Sequence, residues 1–224
     1  MTEVETFLRL FSVGENCRDI ISEVVVELVG NAGEHAKTES LLDIDVTFPY
    51  TNNNTGDSVY GINMVVLNLS EQLFGTALKE KIHSKEIEAL KNNERYSKVL
   101  GAYEAHKNQF NNWYTEEDFY NIASFQHKIS GREKALVYGG TGLTKLIESL
   151  ENMSDAHRCY MLTGSRVVNF ISEHLKYDDD AWISFNGTND FLNNIPNSSV
   201  ISSCPIFFPG TAYNLNFVMR MEKL

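Results

Sequence analysis

The sequence predicts an α+β fold, a two-layer sandwich in which helices cover one face of a mixed, mostly antiparallel sheet. A long helix is predicted over residues 17–37, because apolar residues recur there every three or four positions. These residues are Ile21, Val25, Leu28, Ala32 and Ala36. Alternation of apolar and polar side chains predicts strands over 41–48, 59–69 and 213–221. The first two strands follow each other closely enough to form a hairpin with a long connection.

Composition indicates one domain over residues 1–224. The hydrophobic content of 42% is enough for a core, and we find no proline-, glycine- or serine-rich linker, no low-complexity tract and no repeat. The formal net charge is −11, with 30 acidic and 19 basic residues. Nonspecific binding to nucleic acid or to an anionic membrane needs a positive surface, so neither is expected.

Other sequence features predict a cytoplasmic protein. There is no secretory signal pattern and no apolar stretch of transmembrane length. Cys17, Cys159 and Cys204 are odd in number and widely spaced, which favours buried thiols over a disulfide frame or a zinc site.

The remaining elements are predicted from shorter patterns. Residues 1–13 are mixed apolar and acidic, which indicates a short strand or an arm. From 71 to about 127 the pattern is that of charged helices with an aromatic stripe, whose side chains we expect to pack in the core. Within it, Thr115 with Asp118 resembles a capping box that begins a helix.

The C-terminal half contains a glycine-rich turn and several short apolar runs. The turn lies within 134–150 and begins a helix, and strands are predicted at 159–162 and 181–185. Residues 166–176 fit a strand and a helix equally well.

A polar stripe runs beside the apolar face of the 17–37 helix. Glu27, Asn31 and Glu34 recur at i, i+4 and i+7. A carboxamide oxygen can bind a hard cation such as Mg²⁺, and a carboxylate one turn away can take a proton from an attacking water. Taken alone, such a pair also fits a solvated helix edge.

Three motifs occur in order along the chain. They are E-L-V-G-N-A-G-E-H-A at 27–36, G-G-T-G-L-T-K-L at 139–146, and Gly210-Thr211 before the last strand. Together they resemble the GHKL ATPase superfamily (gyrase B, Hsp90, histidine kinases, MutL), and among its members the small stand-alone regulatory proteins. The resemblance implies a Bergerat-type fold that binds ATP with Mg²⁺.

The first motif resembles the N box of that superfamily. By that resemblance, Asn31 is the metal ligand and holds Mg²⁺ against the phosphates, and Glu27 is the general base. Glu34 and His35 lie near the same edge. They either support the metal-binding residues from behind or are ordinary surface residues, and both interpretations remain equally open.

The second and third motifs imply the rest of the nucleotide site. Gly140, Thr141 and Gly142 match the glycine-rich G2 box, where backbone amides at a helix N-terminus approach phosphates. Leu143, Thr144 and Lys145 continue that helix start, where Lys145 either contacts a phosphate or is simply solvated. Thr211 matches a threonine that lies near the adenine edge.

Two positions depart from the family pattern. Where an Asp-x-Gly turn contacts adenine in the family, this chain has Asn68-Leu69-Ser70. The amide oxygen of Asn68 can still accept a hydrogen bond. Thr144 stands where the G2 box usually has another glycine. Residues 71–134 take the place of the lid that closes over the nucleotide, and they form an enlarged helical insertion.

These features predict a Mg²⁺-dependent ATP-binding regulatory protein, with slow ATPase activity or a nucleotide-driven switch, that acts through a protein partner. Two alternatives stay open: a serine/threonine kinase of the anti-sigma type acting on a STAS-like partner, and a nucleotide sensor without turnover. A third, an interaction protein whose likeness to the family is coincidental, is separated from these by an ATP-binding measurement. ATP or ADP is the expected small ligand, and the prediction allows a homodimer.

Overall fold

A single sheet and a layer of helices make up the part of the chain that the computed structural model describes, residues 3–11, 13–53, 55–84, 93–129, 142–153 and 159–220. The strands are β1 (Ser40–Val46), β2 (Tyr50–Thr51), β3 (Ser58–Leu69), β4 (Tyr160–Asn169) and β5 (Ile201–Arg220). The α-helices are α1 (Glu3–Arg9), α2 (Glu15–Asn31), α3 (Thr76–Ile82), α4 (Glu94–His106), α5 (Glu116–Ala123) and α6 (Gly142–Met153). The predicted α+β two-layer sandwich is confirmed.

The sheet is open and antiparallel in every pairing between these strands. Its order is β1-β3-β5-β4, with the short β2 also paired to β3. One face is buried, as at Ile62 and Met64 of β3 and Leu215 and Phe217 of β5. Most intervening residues of the opposite face, such as Asn63, are partly or largely exposed. The alternation that predicted the strands therefore also sets which face meets the helices.

Two predictions of local structure are wrong. The segment predicted as a strand or arm is helix α1, which buries Val4 and Leu8, one turn apart, in the core. Residues 181–185 do not form a strand and contribute a single bridge between Tyr177 and Ile183. Extended backbone is interrupted there, because Ala181 and Phe185 both have positive φ, 58° and 52°.

The described helices of the predicted lid segment are part of the core. Tyr96 and Val99 of α4 and Phe119 of α5 are fully buried, so the predicted packing role of the aromatic stripe is borne out at these positions. The capping box is present: the Thr115 hydroxyl accepts from the Asp118 amide, and the Asp118 carboxylate accepts from the Thr115 amide. Closure of this segment over a nucleotide stays a prediction.

A buried ion pair joins this helical layer to the sheet. The Asp118 carboxylate accepts from Nε and Nη2 of Arg166 on β4, at 2.8 and 2.6 Å. Arg166 Nη2 also donates to the Trp113 carbonyl. The pair fixes the beginning of α5 against the edge strand of the sheet. None of the helices named above combines the length and apolar character required to cross a membrane.

Candidate functional site

Helix α2 presents Glu27 and Asn31 on one edge, with both side chains half-buried. Their spacing of four residues puts them one turn apart on the same side of the helix. The neighbouring stripe, which includes Leu28, is buried against the core. The predicted helix does continue past Asn31, but as a π-helical turn over Ala32–Ala36, ending at Lys37 with φ 52°. Such turns are rare, and they are frequent at functional sites.

Asn68 and Thr211 lie side by side on adjacent strands. They are directly opposite in the β3–β5 register, and both are buried. The amide Nδ2 of Asn68 is 3.5 Å from Thr38 Oγ1. Gly210, just before Thr211, has φ +133°, and a Cβ there would lie 2.0 Å from the Asn68 carbonyl oxygen. Only glycine allows the two strands to approach this closely at this point.

A hydroxyl on β4 fixes this wall of the site. The side chain of Thr163 is completely buried, and its Oγ1 donates to the Gly210 carbonyl at 2.9 Å. The same oxygen accepts from the backbone amide of Phe74 at 3.1 Å and lies 3.5 Å from Thr211 Oγ1. Thr163 therefore links β5 to the segment that leads into α3.

These elements enclose a pocket of about 810 Å³, including its open mouth. It is lined by Glu27, Leu28, Asn31, Ala32, Ala36, Asn68, Gln72, Leu73, Phe74, Ala77, Leu78, Ser124, Ile129, Leu143, Thr211 and Tyr213. Five of the residues predicted from the motifs thus meet at one cavity: Glu27, Asn31, Asn68, Leu143 and Thr211.

The pocket lining carries a single acidic side chain. Among the described residues that line it, Glu27 is the one acidic or basic residue, and the others carry apolar, amide, hydroxyl or phenol groups. Burial, and to a lesser degree the negative charge of Glu27, raises the pKa of Tyr213 well above its usual range. The Tyr213 hydroxyl therefore keeps its proton.

The helix predicted after the glycine-rich turn is present as α6, which begins at Gly142, and its next residue, Leu143, lines the pocket. Gly140 and Thr141, predicted from the same motif, lie outside the described residues. A helix that starts at the pocket directs unpaired backbone amides and the positive end of its dipole toward that region.

Other residues of this motif do not line the described pocket. The hydroxyl of Thr144 is 3.1 Å from His127 Nδ1, so it anchors the start of α6 to the segment after α5. Lys145 is largely exposed and lies 3.9 Å from Glu148 on the next turn of the helix. Of the predicted N-box residues, Glu34 and His35 belong to the π-helical turn, and their side chains lie outside the described part of the structure.

Four polar or aromatic lining residues were not predicted from the motifs: Gln72, Phe74, Ser124 and Tyr213. Tyr213 had a signal in the sequence, because it begins the strand predicted over 213–221, two positions after Thr211, and residues two apart on a strand share a face. Gln72 and Phe74 enter the pocket after the chain leaves β3, in a segment with no periodic pattern.

The protein oxygens at the pocket fit a magnesium ion that is held mainly by a bound small molecule and only partly by the protein. The described residues hold no group of three or more His, Cys, Asp or Glu side chains that could hold a metal ion by themselves. Mg²⁺ commonly keeps several waters and takes one or two protein oxygens together with substrate phosphates. The amide of Asn31 and the carboxylate of Glu27, one turn apart at the pocket wall, fit that mode.

The site thus combines the carboxylate of Glu27, the carboxamide of Asn31, the buried Asn68–Thr211 wall and the first residues of α6 around one cavity. No protein-family model, curated protein or solved structure matches the chain.

Proposed function

We propose that this chain binds ATP together with Mg²⁺ in the pocket between α2 and the sheet, and that it acts as a nucleotide-dependent regulatory protein. One observation carries the proposal. Five residues, each predicted from one of the motifs or from the strand between them, line a single cavity although they are spread from Glu27 to Thr211. Motifs that matched by chance would have no reason to meet at one pocket.

Each part of the pocket has a role in this proposal. Asn31 supplies an oxygen ligand to the ion, which when bound neutralises part of the phosphate charge. Glu27 accepts a proton from the attacking water or hydroxyl. The start of α6, beside Leu143, receives the phosphates through its unpaired amides. Asn68 and Thr211 form the opposite wall, which receives the base.

Asn68 stands where the family has an acidic residue, and an asparagine there is compatible with binding a purine. In the structure, the Asn68 Nδ2 lies 3.5 Å from Thr38 Oγ1 and donates to it. The amide oxygen is then the atom available to accept from an amino group of the base. A neutral amide forms a weaker bond to that donor than a carboxylate does, since hydrogen bonds to charged groups are about twice as strong. We therefore expect weaker affinity than an acidic residue would give.

The proposal is tested by equilibrium binding of a non-hydrolysable ATP analogue, measured with Mg²⁺ and with EDTA. Saturable binding that needs Mg²⁺ supports it. Absence of binding up to millimolar concentration would overturn it and leave an interaction protein on this fold.

Turnover distinguishes the forms that the regulatory activity can take. If Glu27 is the general base, Glu27→Gln retains analogue binding and loses ATP hydrolysis by about 100-fold or more, the usual contribution of such a group. If ATP is consumed only when a protein substrate is present, and phosphate appears on that protein, the chain is a kinase of the anti-sigma type. Binding with no turnover in either assay identifies a sensor.

A further inference from the structure

Strand β5 delivers a second side chain to the pocket beside Thr211. Tyr213 follows Thr211 on the same face of the strand and is buried, with 5% of its surface exposed. It lies opposite Val66 of β3 and Met161 of β4, and its ring meets the ring of Phe74 edge-on, with centroids 6.3 Å apart. The ring is therefore held in place from several sides.

The hydroxyl of this tyrosine differs from those of its neighbours. Other tyrosines of the helical layer and its surroundings have hydrogen-bond partners for their hydroxyls: Tyr96 with Lys81, Tyr103 with Glu116, Tyr114 with His106, Tyr120 with His83 and Tyr177 with the Phe125 carbonyl. Within the described residues, the structure records no hydrogen bond for the Tyr213 hydroxyl, although Tyr213 lines the pocket. The Tyr213 oxygen is not among the described polar atoms that are both enclosed and without a partner, so it is open to the pocket, where a ligand atom can bond it.

The surroundings of the hydroxyl make it a donor. The charged carboxylate of Glu27 lines the same cavity and acts electrostatically on the phenol. A phenol beside a negative charge retains its proton, since its own ionisation would place two negative charges together. Because β5 rises about 3.4 Å per residue, Tyr213 lies roughly 7 Å from Thr211 along the strand.

We propose that Tyr213 is a ligand-binding residue of this pocket, whose hydroxyl donates a hydrogen bond to an acceptor atom of the bound nucleotide. This inference rests on the proposed function and adds a contact that the motifs do not contain. The contact lies further along β5 than the Asn68–Thr211 wall. The Tyr213 hydroxyl donates a hydrogen bond to the ligand, whereas the Asn68 amide oxygen accepts one.

The test compares Tyr213→Phe with wild type and with Tyr160→Phe, by calorimetric titration of a non-hydrolysable ATP analogue with Mg²⁺. Phenylalanine keeps the ring and its contact with Phe74. Tyr160 is a matched control because it is a partly exposed tyrosine of β4, whose side chain lies on the other face of the sheet. We expect Tyr213→Phe to weaken binding by about 3- to 10-fold, the range of one ordinary hydrogen bond, and Tyr160→Phe to leave it unchanged.

A second measurement separates a ligand contact from a purely structural role. Removing a hydroxyl that has no protein partner does not lower the stability of the free protein, so the midpoint of thermal unfolding without ligand stays the same or rises. The rise in that midpoint on adding ligand becomes smaller. A lowered midpoint without ligand, with unchanged affinity, would overturn the inference.

The two proposals fail in different ways. Equal affinity in wild type and Tyr213→Phe overturns the role of Tyr213 and leaves nucleotide binding standing. Absence of analogue binding by wild type overturns the proposed function and, with it, this inference.

Discussion

Breaking the buried pair of Asp118 and Arg166 should destabilise the protein far more than breaking a surface pair. The Asp118 side chain is fully buried and that of Arg166 is 10% exposed. Asp118 accepts four hydrogen bonds, two from Arg166 and two from Thr115. Asp118→Ala leaves a buried guanidinium without its partner, which costs about 3–5 kcal/mol. It also removes the carboxylate that accepts from the Thr115 amide in the capping box, which costs roughly 1 kcal/mol more, while the Thr115 cap itself is kept.

Arg166→Met removes the other partner, and we expect it to cost about 3 kcal/mol or more, because the carboxylate keeps only its Thr115 donors. The double variant leaves no unpaired charge. Its loss of unfolding free energy should therefore be smaller than the sum of the losses in the two single variants, by about 2 kcal/mol or more. Urea denaturation gives these free energies of unfolding, provided that the m-value stays constant. A matched surface cycle uses Glu94 and Lys98, which are 3.1 Å apart on α4.

The surface pair should show a coupling of about 0–1 kcal/mol. If the buried pair were additive to within about 0.5 kcal/mol, Asp118 and Arg166 would not interact as described. The reasoning that the helical layer is fastened to β4 by this pair would then be refuted.

Three further predictions concern the pocket wall and the core. Gly210→Ala should destabilise the protein by about 3 kcal/mol or more and abolish analogue binding, because its Cβ would lie 2.0 Å from the Asn68 carbonyl oxygen. The control is Gly101→Ala, in open space on a helix, which should stabilise the protein by about 0.5–1 kcal/mol. Equal denaturation midpoints for the two variants would contradict this reasoning. Thr163→Val should cost about 1–3 kcal/mol in urea denaturation, since its buried hydroxyl bonds two backbone groups, and a neutral effect would refute that linkage. Burial lowers the pKa of His106, so the unfolded chain binds a proton at this residue at higher pH than the folded protein does. The free energy of unfolding should therefore fall as the pH drops below about 6.5. His106→Gln should make this dependence on pH less steep, and an unchanged dependence would contradict the pKa shift of His106.

The parts of the site that lie on regular elements could be predicted from the sequence. Glu27 and Asn31 share an edge because four residues make about one turn of a helix. Thr211 is placed by the family resemblance, just before the strand predicted over 213–221. The glycine before Thr211 has a physical reason in the structure, the close approach to the Asn68 carbonyl.

Parts fixed by tertiary contacts could not be predicted in this way. Gln72 and Phe74 reach the pocket because the Phe74 amide is bound by the Thr163 hydroxyl, 89 positions later in the chain. No local pattern encodes such a contact. Likewise, the apolar run at 181–185 resembles a strand, but Ala181 and Phe185 adopt left-handed backbone conformations that end extended structure.

One error was avoidable from the sequence, and another was not. Val4 and Leu8 of α1 are four residues apart, which is helical spacing, and both are buried. Strand β5 begins at Ile201, twelve positions before the predicted start, and Pro205 and Pro209 interrupt its alternation. Proline is unusual in central strands, so its presence concealed the first half of β5.

The central claim is that Asn31 holds a metal ion against a bound nucleotide, and one calorimetric experiment tests it most directly. An ATP analogue is titrated, with Mg²⁺ and with EDTA, into wild type, Asn31→Ala and Asn16→Ala. Asn16 is an exposed asparagine in the first turn of the same helix, so it controls for the loss of an amide from α2. The account predicts Mg²⁺-dependent binding that Asn16→Ala retains and Asn31→Ala loses by at least about tenfold; equal binding by all three proteins, or binding indifferent to Mg²⁺, would contradict it.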